Sequence, residues 1–280
     1  MKFKITIVAA ILSALFVSCE TNTKPRQPAE SQEQKASQVQ SNLFHKSQSP
    51  QEILKHLLAG EVDAKNNVVK WNATPADIHE LNGAFIEKPV LYTTVDTSFK
   101  VKRESDTLYY VIFRTAPMIT DEEGNFVNSN SCHVCGVNLG YFSYTIENDS
   151  IYLNNFKRNF ATHGSFGSKT YTLSFVNLGD GYELLRVDDP YEGMGTESIS
   201  TRFYADGELM LSMISRENNG GNREENEKGY YEFKTDYIYN NANHTITVKQ
   251  SGYSIVEKTG KKAFTNKTRK FVYDNNTMQF

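Results

Sequence analysis

Apolar and polar positions change their pattern several times along this chain. Lys2 and Lys4 precede an unbroken apolar run from Ile5 to Val17. Residues 20–48 then carry few large apolar groups and many Gln, Ser, Lys, Asn and Thr, too little to offset the entropy of ordering, so they read as a flexible tether. Ser49-Pro50-Gln51-Glu52 supplies a polar cap, a proline in the first turn and an early acid, which predicts a helix start. Ile53, Leu54, Leu57 and Leu58 recur at helical spacing and Gly60 ends the run. Thr74-Pro75-Ala76-Asp77 opens a second short turn of helix carrying Ile78 and Leu81. Residues 49–88 therefore read as a short helical segment.

Beyond Pro89 the period changes. Leu108–Phe113, Tyr141–Ile146, Ile151–Phe160, Tyr171–Val176, Tyr182–Val187, Ile199–Tyr204, Leu209–Ile214, Tyr230–Tyr239, Thr245–Val256 and Lys270–Tyr273 are rich in Tyr, Phe, Val, Ile and Thr, which predicts strands. Glu147–Ser150, Gly179–Gly181, Asp206-Gly207, Asn240–Asn243, Gly260-Lys261 and Asp274–Asn276 separate them, and Asn, Asp and Gly accept the positive φ of tight hairpins. Hairpins in such a series predict a mainly β domain over residues 89–280, an antiparallel meander closed as a barrel or folded as a sandwich. The polar stretch Glu217–Lys228 predicts a mobile loop.

A terminal Phe280 is also found in outer-membrane barrels, but such barrels need a lipid-facing apolar row on every strand. Asp274 and Asn276 share the Phe280 face, and Lys157 and Arg158 sit mid-strand, so the pattern opposes an integral barrel.

Charge and the leader then fix an address. The chain has a formal net charge of −3 and no Lys/Arg-rich run that would predict a basic stripe, which argues against nucleic acid as a partner. The apolar run is shorter than the roughly 20 residues needed to span a bilayer, and the charged start before it has the layout of a secretory signal over residues 1–18. Phe16-Val17-Ser18-Cys19 resembles the lipobox of bacterial lipoproteins, with Phe16 in place of the usual Leu. The resemblance implies an acylated Cys19 at the new N-terminus. It also implies a tether over residues 19–48 and a location in the bacterial cell envelope, anchored by lipid at the outer membrane, with several acyl groups giving stable anchoring.

The remaining thiols lie in Asn130-Ser131-Cys132-His133-Val134-Cys135-Gly136. An oxidising envelope favours a local disulfide between Cys132 and Cys135. The alternative is thiol exchange, for which His133 supplies positive charge beside Cys132. The residues after this motif look extended rather than helical, so the helix dipole that usually lowers such a thiol pKa is missing. A metal site built from Cys132, Cys135 and His163 lacks a fourth ligand.

Thr162-His163-Gly164-Ser165-Phe166-Gly167 invites a hydrolase reading through His163 and Ser165, yet no orienting acid or nucleophile elbow is placed by the sequence. Asp188-Asp189-Pro190-Tyr191-Glu192-Gly193-Met194-Gly195 clusters carboxylates, but adjacent acids do not match a calcium loop, and a solvated turn is expected. The order of these motifs, over residues of about 130–205, resembles a middle segment of bacterial envelope proteins of unassigned activity. It implies a β module whose three loops gather at one end. Asp106-Thr107-Leu108 and Asp149-Ser150-Ile151 resemble the acceptor motif for O-glycans in some Gram-negative bacteria, which would place sugars on Thr107 and Ser150.

No complete catalytic set and no cofactor motif is assembled. The expected function is a binding or scaffold module for an envelope protein or small ligand, with His133, His163, Asp188 and Asp189 as possible ligand contacts. The alternative is a thiol-disulfide oxidoreductase using Cys132 and Cys135, and a metal-dependent hydrolase is a third reading.

Overall fold

Two capped helices and two consecutive β-meanders make up the computed structural model, which describes residues 44–81, 90–116, 118–120, 126–128, 136–165, 169–179, 181–274 and 277–279. The leader, Cys19, Cys132, His133 and Cys135 lie outside the described residues. Helix α1 (Pro50–Leu57) begins with a capping box: the Ser49 hydroxyl accepts from the Glu52 N–H, and the Glu52 carboxylate accepts from the Ser49 N–H. Those bonds hold the Glu52 carboxyl below its ordinary range. Helix α2 (Pro75–Glu80) repeats the device with Thr74 and Asp77.

The first sheet contains β1 (Phe44–His45), β2 (Glu61–Asp63), β3 (Val68–Asn72), β4 (Val90–Lys102), β5 (Thr107–Ala116), β8 (Val137–Glu147) and β9 (Ser150–His163). Its order is β1-β9-β8-β5-β4-β3-β2, all antiparallel. A small hairpin, β6 (Met118–Thr120) and β7 (Phe126–Asn128), interrupts the meander between β5 and β8. The stretch between the helices, expected to be helical, thus also carries β2 and β3. Its Val68, Val69 and Trp71 are buried.

The second sheet runs in chain order through β10 (Thr172–Asn177), β11 (Glu183–Gly193), β12 (Thr196–Ala205), β13 (Glu208–Asn218), β14 (Tyr231–Asn240), β15 (Thr245–Ile255), β16 (Lys262–Asp274) and β17 (Thr277–Gln279). The expected antiparallel meander is therefore present, with the two short helices at its N-terminal side. Three hairpins turn through paired positive-φ residues, Asn148-Asp149, Met194-Gly195 and Asp206-Gly207. Two-residue turns of that kind match the right-handed twist of the strands they join.

Alternation along the strands sorts the side chains into separate cores. One face of the first sheet packs Phe113, Phe142, Val111 and Trp71 against Ile53, Leu54 and Leu81 of the helical region. Beneath it, the Trp71 indole donates to Thr93 Oγ1 at 3.0 Å, and Thr93 bonds Thr115 directly across the β4–β5 ladder at 2.8 Å. The other face of the first sheet meets the second through Leu108, Tyr110, Leu139 and Tyr141 on one side and Tyr171, Leu185, Val187 and Tyr204 on the other. The second sheet then curls, so that Leu184, Phe203, Ile246, Val248 and Phe271 enclose a third core inside a half-barrel. Among the described residues no helix is long and apolar enough to cross a membrane.

Candidate functional site

The most developed polar constellation lies where the two sheets meet, at the C-terminal end of β9. His163 is the last residue of that strand and is paired with Val137 at the start of β8. Its side chain is fully buried, and both ring nitrogens are engaged. Nδ1 is 3.0 Å from Asp189 Oδ2 and Nε2 is 2.9 Å from the Tyr204 hydroxyl. One neutral tautomer satisfies both contacts: Nδ1–H donates to the carboxylate and Nε2 accepts from the phenol. Asp189 also accepts the Gly164 N–H at 3.3 Å. Arg202, 3.2 Å from Nδ1 and 4.0 Å from Asp189, cannot donate to a nitrogen that already carries a proton, so its guanidinium serves the carboxylate by charge. Burial pushes the Tyr204 phenol up to about 12.

A second buried carboxylate extends this seam. Asp96 sits at a bulge in β4, where the register shifts between Val95 and Thr97, and its side chain is 1% exposed. It is bonded by Arg114 and by the Tyr171 hydroxyl, with Lys169 at 3.7 Å. The Tyr171 ring is 6.0 Å from His163, so the two clusters are neighbours. Burial first, and Asp96 second, hold the Tyr171 phenol far above its ordinary range.

Above the His163 cluster, the distal halves of β11 and β12 and the loops beside them border a groove of about 790 Å³. Tyr191, Glu192, Glu197, Ile199 and Arg216 line it, and Ser165 contributes from the loop after β9. Glu192 and Glu197 are directly opposite in the ladder. Met194 stands at the hairpin tip with φ 52° and is 92% exposed. Such a backbone angle is strained for a residue with a Cβ. Gly195 beside it has no such choice: a Cβ there would lie 2.0 Å from Asn222.

These positions correct several expectations. Asp188 and Asp189 are not in a turn; they belong to β11, and strand alternation sends them to opposite faces. Asp189 reaches His163, whereas Asp188 points into the half-barrel, where it is bonded by Arg186 at 3.0 Å and by the Thr201 hydroxyl. The polar segment expected from Glu217 begins as strand, since β13 runs to Asn218, and beyond it Asn222 donates to the Met194 carbonyl and Asn219 Nδ2 to the Gly229 carbonyl at 3.0 Å. Gly136, at the end of the cysteine motif, lies against the His163 backbone, since a Cβ there would be 2.5 Å from its carbonyl oxygen. The His163 loop and the Met194 hairpin therefore gather at one end of the domain with the segment that follows the cysteines. Thr107 starts β5 opposite Lys102, and Ser150 starts β9 between Glu147 and His45.

Sequence reasoning missed Tyr204, Arg202, Asp96 and Arg114. The only signal was a charged residue, Arg202, in a strand otherwise bound for a core. It also missed a basic strand: β16 carries Lys262, Lys267, Arg269 and Lys270 with no carboxylate before Asp274.

Fold and site together define an antiparallel two-sheet β protein with a hairpin-borne groove resting on a buried His–Asp–Tyr network. No family model matches the chain, and no curated protein or solved structure matches it either.

Proposed function

We propose that this chain is a binding or scaffold module of the bacterial envelope, held to the outer membrane by a lipid on Cys19, and that it engages its ligand in the groove of the β11–β12 hairpin. The observation that carries this reading is the groove itself, about 790 Å³ of concave space on a strand pair whose base is fixed from beneath by Asp189, His163 and Tyr204. Binding sites built on paired strands keep their geometry better than sites on free loops. The lining mixes an aromatic ring, an aliphatic side chain, two carboxylates and a guanidinium, which suits a ligand with apolar and hydrogen-bonding groups together. His163 acts here as a support and not as a base, because its ring is sealed from the groove and both nitrogens are occupied. The leader, the Ser18-Cys19 junction and the polar tether support the envelope address.

A photo-crosslinking residue at position 191 tests the reading in native envelopes. The expected result is a discrete adduct that is lost when Ser198→Trp fills the groove and kept when Lys262→Gln alters a distant strand. An adduct indifferent to Ser198→Trp, or none at all, would overturn it.

A further inference from the structure

The second sheet leaves one long edge open. Strand β16 is held to β15 by an unbroken register, from Val272 opposite Thr245 to Lys262 opposite Ile255, with no bulge. The two ends of that ladder fix the direction of its backbone groups. The Val256 N–H donates to the Lys261 carbonyl at 2.9 Å and the Tyr273 N–H donates to the His244 carbonyl at 2.9 Å, so Lys261 and Tyr273 both turn toward β15. Backbone groups alternate in direction along a strand, and the odd-numbered residues between these two therefore face β15 as well. The even-numbered residues face the other way. At Val272 and Asp274 their groups meet β17, which pairs with β16 only over Val272–Asp274. At Lys262, Phe264, Asn266, Thr268 and Lys270 no described residue bonds the N–H or the C=O. Apart from Thr265, every residue from Lys262 to Lys270 is exposed, so no described element overlies this edge.

A regular open edge pairs readily with other strands, and folds usually blunt it with a bulge, a proline or a covering element. β16 has none of these between Lys262 and Lys270; it has charge, with no carboxylate before Asp274. The Lys262 ammonium lies over the Tyr253 ring at 3.6 Å, and Arg269 is already engaged. The free charge of the strand is that of Lys267 and Lys270, which have no ion-pair partner among the described residues. A second copy of β16 would set the same cations against one another, whereas an acidic strand would be drawn to them. Strand alternation puts Lys270 on the face of Phe264 and Lys267 on the opposite face, so acids on either face of an added strand meet a cation. Phe264, 78% exposed with its ring 6.3 Å from Tyr253, offers an apolar contact near one end.

We propose that the free edge of β16 is a docking site for an extended acidic segment of a partner protein, which adds to the second sheet as a further strand along Lys262–Lys270. Main-chain hydrogen bonds supply the affinity of such an addition, and side-chain contacts its selectivity. The edge belongs to β16 and the hairpin groove to β11 and β12, so either site can fail without the other.

The test uses the purified full chain and a capped peptide that alternates glutamate and valine and is long enough to span Lys262–Lys270, with amide exchange read by NMR. Saturable binding is expected, with exchange at Phe264, Asn266, Thr268 and Lys270 slowed at least about tenfold and exchange in β2 and β3 unchanged. The same peptide with its amides N-methylated cannot complete a ladder, and the same peptide with lysine for glutamate meets like charge; each should bind at least about tenfold more weakly. Thr268→Pro removes an N–H on the free side alone, as Pro190 does in β11, and should weaken binding to the same extent. An unchanged melting curve verifies that this variant is folded, and the N-methylated peptide reads the same contact without altering the protein. Lys267→Gln with Lys270→Gln should weaken binding and flatten its dependence on salt. Binding that survives N-methylation, binding indifferent to the paired lysine substitutions, a lysine peptide that binds as tightly, or no saturable binding of the glutamate peptide would each overturn the proposal.

Discussion

Replacing His163 by Leu removes the one side chain that links the two sheets through hydrogen bonds at both ring nitrogens. The loss leaves the Tyr204 hydroxyl, in a residue only 5% exposed, without its acceptor. It also leaves the Asp189 carboxylate with only the Gly164 amide and the flanking charge of Arg202. A buried polar group stripped of its partner costs about 1–3 kcal/mol, more when it is charged. The expected destabilisation is therefore about 3 kcal/mol, a large share of the roughly 5–15 kcal/mol that holds such a domain together. Tyr204→Phe removes a hydroxyl, which strands the buried Nε2 and takes one acceptor from the partly exposed Arg202, at about 1–2 kcal/mol. In the double variant both members of the Nε2–hydroxyl pair are gone, so neither is left without the other. Its cost should fall short of the sum of the singles by about 1–2 kcal/mol, within the usual range for residues that share a partner.

Urea unfolding followed by tryptophan fluorescence reads all three variants, because Trp71 is the only tryptophan and is buried. Hydrogen exchange adds a local readout: amides of β11 and β12 around Asp189–Ser198 should open faster in His163→Leu, while those of β2 and β3 should not. Additivity of the two substitutions to within about 0.5 kcal/mol would refute the network as a coupled unit. So would exchange that rises equally in both sheets, since the hairpin would then not depend on His163 for its position.

Other outcomes follow from the same geometry. Burial raises the phenols of Tyr204, Tyr110, Tyr141 and Tyr171, so these groups keep their protons in the fold after an unfolded chain has lost them near pH 10. Their contribution to stability is complete below about pH 10 and declines as pH rises above it, that of Tyr204 being lost through about 12 and those of the other three at higher pH still. The urea midpoint should hold steady up to the lower value and then fall, less steeply in Tyr204→Phe; a midpoint unchanged well above pH 11 would contradict the argument. Gly140→Ala places a Cβ 2.3 Å from the Phe113 ring and 2.5 Å from the Arg158 carbonyl, and thermal unfolding should show a loss of about 1–3 kcal/mol or failure to fold. Cys19→Ser should move the protein from the membrane fraction to the soluble fraction, and a variant that stays at the membrane would remove the proposed anchor. A structural Cys132–Cys135 bridge should show a reduction potential below about −300 mV, whereas a value near those of thiol oxidoreductases would favour the redox reading.

The legible part of this molecule was what local chemistry determines by itself. Ser49-Pro50-Gln51-Glu52 and Thr74-Pro75-Ala76-Asp77 set two helix starts because a capping box is a contact between residues three apart. Asn148-Asp149 and Asp206-Gly207 set two hairpins because few residues accept positive φ. The illegible part is non-local. The strand expected over Tyr182–Val187 continues through Pro190 to Gly193, because β10 stops pairing at Asp188 and a proline without an N–H costs nothing on the unpaired side. Their clustering made Asp188 and Asp189 look like part of one solvated acidic turn, whereas both lie in β11, which separates them onto two faces.

β16 was read only over Lys270–Tyr273 because its earlier residues have no apolar alternation. They need none, since both faces there are largely exposed and the strand is held by its ladder to β15 from Lys262 to Val272. Exposed on both faces and paired along one edge, that segment is free to collect charge without burying it. The cations it carries are therefore cheap for the fold to keep. The buried network at His163 is the opposite case: each of its polar groups would be costly alone, and it persists only because Asp189, His163 and Tyr204 arrive together from different strands. Supports of that kind leave no signature in a linear sequence, because Asp189, His163 and Tyr204 acquire partners only after both sheets have formed.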